Sequence, residues 1–363
     1  MRPAVALDYR PALLSRAGIG RAVRELARAL GERRDGDLAL HLFGHSLAAA
    51  RVPHREPVGA RLHRLPIPGR ALPLLRRLGL GADRLAGGAA VFHWTDYVQP
   101  PVCRARAVLT VHDLAFWRDA SWHGEDAAVL RVRTERAAAA AAAVVVPSRA
   151  TAGDVARWLP AAHRVEVIPF GGDHVPTAPL PRPAVAARDY VVAVGTVEPR
   201  KNHRALLAAL RLLPAPRPLL IVVGRRGWEC AAIADELEAA CAAGDAIWLE
   251  HADDAATWAL LAHAQLCVYP SLWEGFGFPP LEAMALGTPV VAHAVAPLEE
   301  LTDGNALLCD AAAPDALAAA IARGLGDDAL RSRLAIGGRA RAAAFRWRDC
   351  AAAHAALYRE VAA

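Results

Sequence analysis

The stretch Ser271-Leu272-Trp273-Glu274-Gly275-Phe276-Gly277-Phe278-Pro279-Pro280-Leu281-Glu282-Ala283-Met284-Ala285-Leu286-Gly287 decides the fold of this chain. It follows the apolar run Leu266 to Tyr269, which reads as a buried strand. Glycines free the backbone and proline cannot sit inside a helix, so Glu274 and Glu282 cannot share one continuous helix. The pattern predicts Glu274 on a loop at a strand end. Glu282 falls in the first turn of a short helix with Pro279 at its N-cap and Gly287 at its close. One carboxylate then stands on each side of a helix N-terminus, whose free N–H groups attract anions.

Working outward, the same grammar repeats. Strands are expected at Tyr190 to Val194, Leu219 to Val223, Ala246 to Glu250 and Pro289 to Ala292. Helices lie between them, at His203 to Leu213, Trp228 to Ala242 and Asp254 to Ala264. Alternation of this kind makes a parallel sheet covered on both faces. The first half reads alike, with strands at Ala4 to Leu7, Leu38 to Phe43, Ala89 to Trp94, Ala107 to Val111, Val144 to Val146 and Val165 to Ile168. A loop Ser15-Arg16-Ala17-Gly18-Ile19-Gly20 is expected to lead into a helix over Arg21 to Leu30, and another helix is expected over Glu125 to Ala143. Residues 60–87 carry six arginines among leucines and read as a basic amphipathic region, either a solvated helix face or a contact with an anionic membrane.

A chain of 363 residues suggests two domains. The Pro- and Gly-rich segment after Phe170 reads as the linker. The expected division is residues 1–172, a linker 173–189, a second domain 190–345, and a last helix 346–363 packing back on the first domain. Six scattered cysteines without a C-x-x-C pair fit a reduced compartment and argue against a cysteine-based zinc site. The start of the chain has too short an apolar run for a signal peptide, and nothing approaches the about 18 apolar residues of a membrane span. The expected location is the cytoplasm or the inner face of the membrane. Residues 1–180 hold 25 Arg against 16 Asp and Glu, so the first half is basic and the second mildly acidic. A basic half suits an anionic partner.

Gly195-Thr196-Val197-Glu198-Pro199-Arg200-Lys201-Asn202 is the second informative stretch, and Lys201 is the only lysine in the sequence. Adjacent cations at a helix N-terminus repel each other and the helix dipole, so an anion such as a diphosphate is expected between them. Arginine offers a planar fork and lysine a compact charge for that purpose. The carboxylates of the opening stretch suit ribose and sugar hydroxyls, which points to a nucleotide-diphosphate sugar. In the first half, His112 stands at a strand C-terminal end, where open α/β sheets bind ligands.

The spacing of Glu274 and Glu282 resembles the E-x7-E motif of retaining GT-B glycosyltransferases of the large family four. Thr196 to Asn202 is similar to that family's diphosphate loop, and Gly18-Ile19-Gly20, Thr110 to Leu114 and Pro147-Ser148 resemble sites in its N-terminal domain. The resemblance implies two Rossmann-like domains with parallel sheets facing a cleft, an acceptor domain first and a donor domain second. It implies Arg200 and Lys201 on the donor diphosphate, Glu274 on the donor sugar, Glu282 on the ribose, and His112 reaching the sugar from the first domain. Gly18, Gly20, Gly195, Thr196, Gly224, Arg225, Gly275, Phe276, Gly277 and Phe278 would line the donor site. No metal or other cofactor is expected. Patterns near His112 and Gly18 look closest to bacterial mannosyl- or rhamnosyltransferases of surface polysaccharide assembly, which favours GDP-mannose and a saccharide or polyprenyl-linked acceptor, with no nucleic acid. A nucleotide-sugar epimerase on the same fold and a non-catalytic nucleotide-sugar-binding protein are the alternatives. The residues leave the donor base, the sugar, the acceptor, the linkage and the oligomeric state open.

Overall fold

The computed structural model describes residues 2–15, 18–54, 57–122, 126–185 and 188–363. Arg16, Ala17 and Glu125 of the expected loop and helix, and residues 186–187 of the expected linker, lie outside the described residues. The chain divides into two compact units. Unit 1 is Met1–Trp117, Glu125–Gly171 and Arg346–Ala363, and unit 2 is Arg118–Gly124 and Gly172–Phe345.

Unit 1 is built on a seven-stranded parallel sheet. Its strands are β1 (Ala4–Asp8), β2 (Ala39–His45), β3 (Ala60–Leu65), β4 (Val91–Trp94), β5 (Arg106–Thr110), β6 (Ala143–Val146) and β7 (Val165–Val167). The spatial order is β3-β2-β1-β4-β5-β6-β7, so the winding reverses between β1 and β4. The short apolar runs are buried because helices cover both faces of a parallel sheet. Phe43, Phe92, Leu109, Val144 and Val146 form the centre of one core and are all nearly inaccessible. Each such side chain contributes roughly 1.5–3 kcal/mol by leaving water.

The strand Ala60–Leu65 corrects the reading of residues 60–87 as one amphipathic region. His63, Arg64 and Leu65 are half-buried on a strand that, among the described residues, pairs with β2 alone, and Arg61 at this sheet edge points out. The helical part is confined to Gly69–Ala71, Leu72–Arg77 and Ala82–Leu85. The expected glycine loop is also corrected, since Gly18–Gly31 is helical throughout. A Cβ on Gly20 would lie 2.0 Å from the Ser15 carbonyl oxygen, so this glycine allows the helix to sit tightly on the preceding turn.

The last helix, Trp347–Ala362, belongs to unit 1. Trp347 is 1% exposed and lies 5.9 Å from the Phe170 ring. Deeper in, His93 Nδ1 and the Tyr358 hydroxyl are 2.6 Å apart, and His93 Nε2 is 2.7 Å from the Thr110 hydroxyl. Burial pushes the His93 ring well below the usual histidine range and His354 down to about 4, so this seam is neutral.

Unit 2 repeats the plan with β8 (Tyr190–Val194), β9 (Leu219–Val223), β10 (Ala246–Leu249), β11 (Leu266–Tyr269), β12 (Val290–His293) and β13 (Leu307–Cys309). The order β10-β9-β8-β11-β12-β13 reverses between β8 and β11. Val191, Leu220, Val222, Leu266, Val268 and Val291 form its core.

Candidate active site

The two informative stretches meet at the reversal point of unit 2, where open α/β sheets bind ligands. After β8 the chain runs through Gly195 to a single tight turn, Pro199–Lys201, and into the helix His203–Leu212. After β11 it runs through Ser271 to Glu274. The loops are tied by backbone, with Leu272 N–H donating to the Arg200 carbonyl at 2.9 Å.

One oxygen organises the cluster. Glu274 Oε1 accepts from Lys201 Nζ, from the Tyr269 hydroxyl at 2.8 Å and from the Ser271 hydroxyl at 2.5 Å. Arg200 Nη1 stands 3.1 Å from the same oxygen and donates to the Trp273 carbonyl at 2.6 Å, while Nη2 donates to Glu198 Oε1 at 2.9 Å. Among the described residues Glu274 Oε2 takes no hydrogen bond. Burial alone would raise the Glu274 carboxyl, but Lys201 and Arg200 hold it at about 2, so it is ionised. Burial lowers the Lys201 ammonium, against Glu274, and raises the Tyr269 hydroxyl well above its usual range. The two adjacent cations, expected to require an external anion, thus meet a carboxylate from 73 residues further along.

Glu282 sits elsewhere in the unit. It is fully buried, and its Oε1 is 2.9 Å from His174 Nε2. Its helix is Phe278–Leu286 with Gly277 as N-cap, so the expected cap at Pro279 and first-turn position of Glu282 are corrected by one or two residues at the start. Gly277 has φ 109°, a value that a side chain disfavours. That conformation lets the helix begin two residues before the prolines end. Phe276 and Phe278 are buried ring to ring, 5.5 Å apart. Gly224 stands against Gly195, whose carbonyl oxygen would be 1.8 Å from a Cβ there. Arg225 is exposed, and its carbonyl accepts from Val197 N–H at 2.8 Å. Thr196 is half-buried beside Gly227.

In unit 1, His112 lies just beyond β5 with Nε2 2.8 Å from the Thr95 carbonyl. Burial lowers its pKa against that bond. Gly18 is exposed at the start of its helix. The structure therefore gathers Arg200, Lys201 and Glu274 around one oxygen and keeps Glu282 with a separate partner. His174, Tyr269, Ser271 and Glu198 were not singled out from sequence. Tyr269 and Ser271 flank Glu274 closely enough to be suspected, whereas His174 is 108 residues from Glu282 and carries no local signal.

The family signature described as glycosyl transferases group 1 matches residues 183–341, and that of glycosyltransferase family 4 matches residues 16–174. The O-antigen chain mannosyltransferase B of Escherichia coli is 32% identical over 92% of this chain and 93% of its own. The chain belongs to the group 1, family four glycosyltransferases. It is an enzyme of that transferase class, similar also to the D-inositol 3-phosphate glycosyltransferase of Xylanimonas cellulosilytica, at 33% identity over 62% of this chain and 58% of the relative. Among solved structures it resembles the sucrose-phosphate synthase of Thermosynechococcus elongatus, with a TM-score of 0.79 at 23% identity over 99% of both chains. It also resembles the Anabaena HepE protein in complex with UDP and glucose, with a TM-score of 0.75 at 18% identity over 99% of this chain and 100% of that one. These likenesses give the glycosyltransferase its fold class, GT-B, with two parallel-sheet units.

Proposed function

We propose that this glycosyltransferase moves a hexose, mannose from GDP-mannose, to a saccharide or polyprenyl-linked saccharide in surface polysaccharide synthesis, with retention at the anomeric carbon and without a metal. The observation that carries the reading is the state of Glu274. Its Oε1 is pinned by Lys201, Tyr269 and Ser271, while Oε2 has no hydrogen bond among the described residues. A fixed, ionised carboxylate with one open oxygen is suited to accept from a sugar hydroxyl. The mannose assignment is supported by the name of the Escherichia coli relative and by the MMP alpha-(1->4)-mannosyltransferase of Mycolicibacterium hassiacum, 42% identical over 29% of this chain.

In this reading Arg200 and Lys201 hold the diphosphate and Glu282 the ribose, with His174 setting the Glu282 carboxylate. The glycine and aromatic positions from Gly275 to Phe278 shape the loop beside the donor sugar. The bond from the anomeric carbon to the phosphate oxygen breaks with its electron pair passing to that oxygen. The acceptor hydroxyl bonds the anomeric carbon from the same face, and its proton passes to the departing phosphate. Positive charge from Arg200 and Lys201 favours the charge that grows on the leaving group, a preorganised electrostatic contribution.

The basic first half is assigned a peripheral contact with anionic lipid at the cytoplasmic face. Leu74 and Leu78 are 61% and 70% exposed one helical turn apart, and Arg70, Arg76 and Arg77 are exposed around them. No helix among the described residues is long and apolar enough to cross a membrane. The test is thermal-shift screening with GDP, UDP, ADP and dTDP sugars, followed by transfer assays. A GDP-specific shift that disappears in Arg200→Ala, together with transfer that Glu274→Ala abolishes, is the expected result. Donor turnover without acceptor would favour an epimerase, and binding without turnover a non-catalytic partner. A stable glycosyl adduct on Glu274 by intact mass spectrometry would overturn the front-face route.

A further inference from the structure

The reversal point of the unit 1 sheet carries a cluster that the donor chemistry does not use. Asp8 ends β1, Arg10 follows it, and Asp96 lies two residues beyond β4. These are the same topological positions that place Arg200 and Lys201 after β8 and Glu274 after β11 in unit 2. The Thr95 hydroxyl donates to the Asp8 carbonyl at 2.6 Å and fastens the two strand ends together. Arg10 Nη2 donates to Asp96 Oδ2, and Arg10 N–H donates to Asp8 Oδ1 at 3.1 Å.

Two buried polar atoms in this cluster have no hydrogen-bond partner among the described residues, Asp8 Oδ2 and Arg10 Nε. They stand 4.0 Å apart, too far to bond each other and close enough to grip one oxygen between them. The Asp8 side chain is wholly buried and so is Arg10 Nε, while the Arg10 and Asp96 side chains as a whole are 16% and 14% exposed, so the two unmatched atoms lie beneath the part of the cluster that reaches the surface. Leaving such groups unmatched is costly, and native interiors rarely do so without a ligand or water.

The geometry points to a subsite in which Asp8 Oδ2 and Arg10 Nε hold one hydroxyl of a neutral saccharide, the acceptor of the transfer reaction. This rests on the transferase reading above and assigns its acceptor-side chemistry. Burial and the nearby Asp96 charge raise the Asp8 carboxyl well above the usual carboxylate range, against Arg10, so the neutral acid is favoured and Oδ2 is a donor. Arg10 and Asp96 then balance each other. Burial and Arg10 push the adjacent His45 ring down to about 4, against the Ile67 backbone, so it adds no charge. Two donors without net charge select a neutral hydroxyl oxygen over a phosphate or carboxylate.

The experiment uses the full chain with methyl α-mannoside and α-linked mannobioses at millimolar concentration as probes, followed by saturation-transfer NMR titration. GDP affinity is measured in parallel by calorimetry, which keeps failure of this subsite separate from failure of the donor assignment. Arg10→Gln and Asp8→Ala are expected to weaken saccharide binding at least tenfold with GDP affinity within twofold of the parent. Asp8→Asn keeps the shape and an N–H donor at this position, and is expected to retain binding within about threefold. The proposal is overturned if the parent binds none of these sugars, which leaves an internal water only. It is overturned equally if Arg10→Gln and Asp8→Ala bind them as the parent does, if mannose 6-phosphate binds more tightly at this cluster than the neutral sugars, or if the variants lose GDP binding in step.

Discussion

Replacing Lys201 by methionine removes the cation under Glu274 while keeping most of the side-chain volume. Glu274 is held at about 2 against an ordinary value of 4.5. That difference corresponds to roughly 3 kcal/mol, at about 1.4 kcal/mol per pKa unit. Lys201 moves the opposite way, because burial costs its charged form more than Glu274 returns. The carboxylate figure is therefore an upper bound on the worth of the pair. Since the folded pKa lies below the unfolded one, this stabilisation is present above about pH 4.5 and is lost as pH falls toward 2. Breaking one partner of a buried pair costs about 3–5 kcal/mol. A double-mutant cycle of Lys201→Met with Glu274→Gln should return a coupling of about 2–3 kcal/mol at pH 7, shrinking below pH 4. The assay is urea unfolding read by hydrogen exchange in peptides of β8 and β11, so that unit 2 is followed alone. A coupling under about 0.5 kcal/mol, the range of an exposed pair, would refute the buried geometry.

His174→Ala should weaken GDP binding by about 1–2 kcal/mol with turnover at saturating donor little changed, and His174→Gln, which keeps an N–H donor, should restore part of it; unchanged calorimetric affinity in His174→Ala would remove the residue from the site. The seam under the last helix should loosen in acid. His354 is neutral in the folded protein with a pKa of about 4, below the unfolded value, so its contribution is complete above about pH 6.5 and declines as pH falls from there toward 4. Hydrogen exchange of Trp347–Ala362, corrected for intrinsic rate, should show protection falling between pH 7 and pH 5, and His354→Phe should reduce that dependence while leaving the share of His93. Serine at Arg70, Arg76 and Arg77 should cost about 3 kcal/mol of binding to phosphatidylglycerol vesicles at low salt, and co-sedimentation equal to the parent would dismiss the membrane contact.

Much of this architecture was legible in local pattern. Leu219 to Val223 and Leu266 to Tyr269 are apolar runs bounded by turn residues, and parallel strands buried on both faces leave that trace. The loops at Arg200 and Glu274 were legible because glycine, proline and charge cluster at strand ends. Ala60–Leu65 was hidden because arginine and histidine at a sheet edge interrupt its apolar positions. Leu307–Cys309 is three residues long and too short to show a period. Long-range pairing left no mark at all: nothing beside Lys201 announces Glu274, and nothing beside Glu282 announces His174. The expectation of an external anion at Arg200 and Lys201 came from local repulsion, and a carboxylate distant in sequence answers it in the free protein.

The place of the last helix has a bearing on synthesis. Unit 1 contains the first residues of the chain and also Arg346–Ala363. A growing chain exposes the β1–β7 sheet early, yet the Tyr358 hydroxyl that meets His93, and the Trp347 ring beside Phe170, emerge only after Gly172–Phe345 of unit 2. Unit 2 has all its strands before then. The unit whose sheet is made earlier thus receives its closing helix only after the strands of the other unit, and until then the seat of that helix stays uncovered.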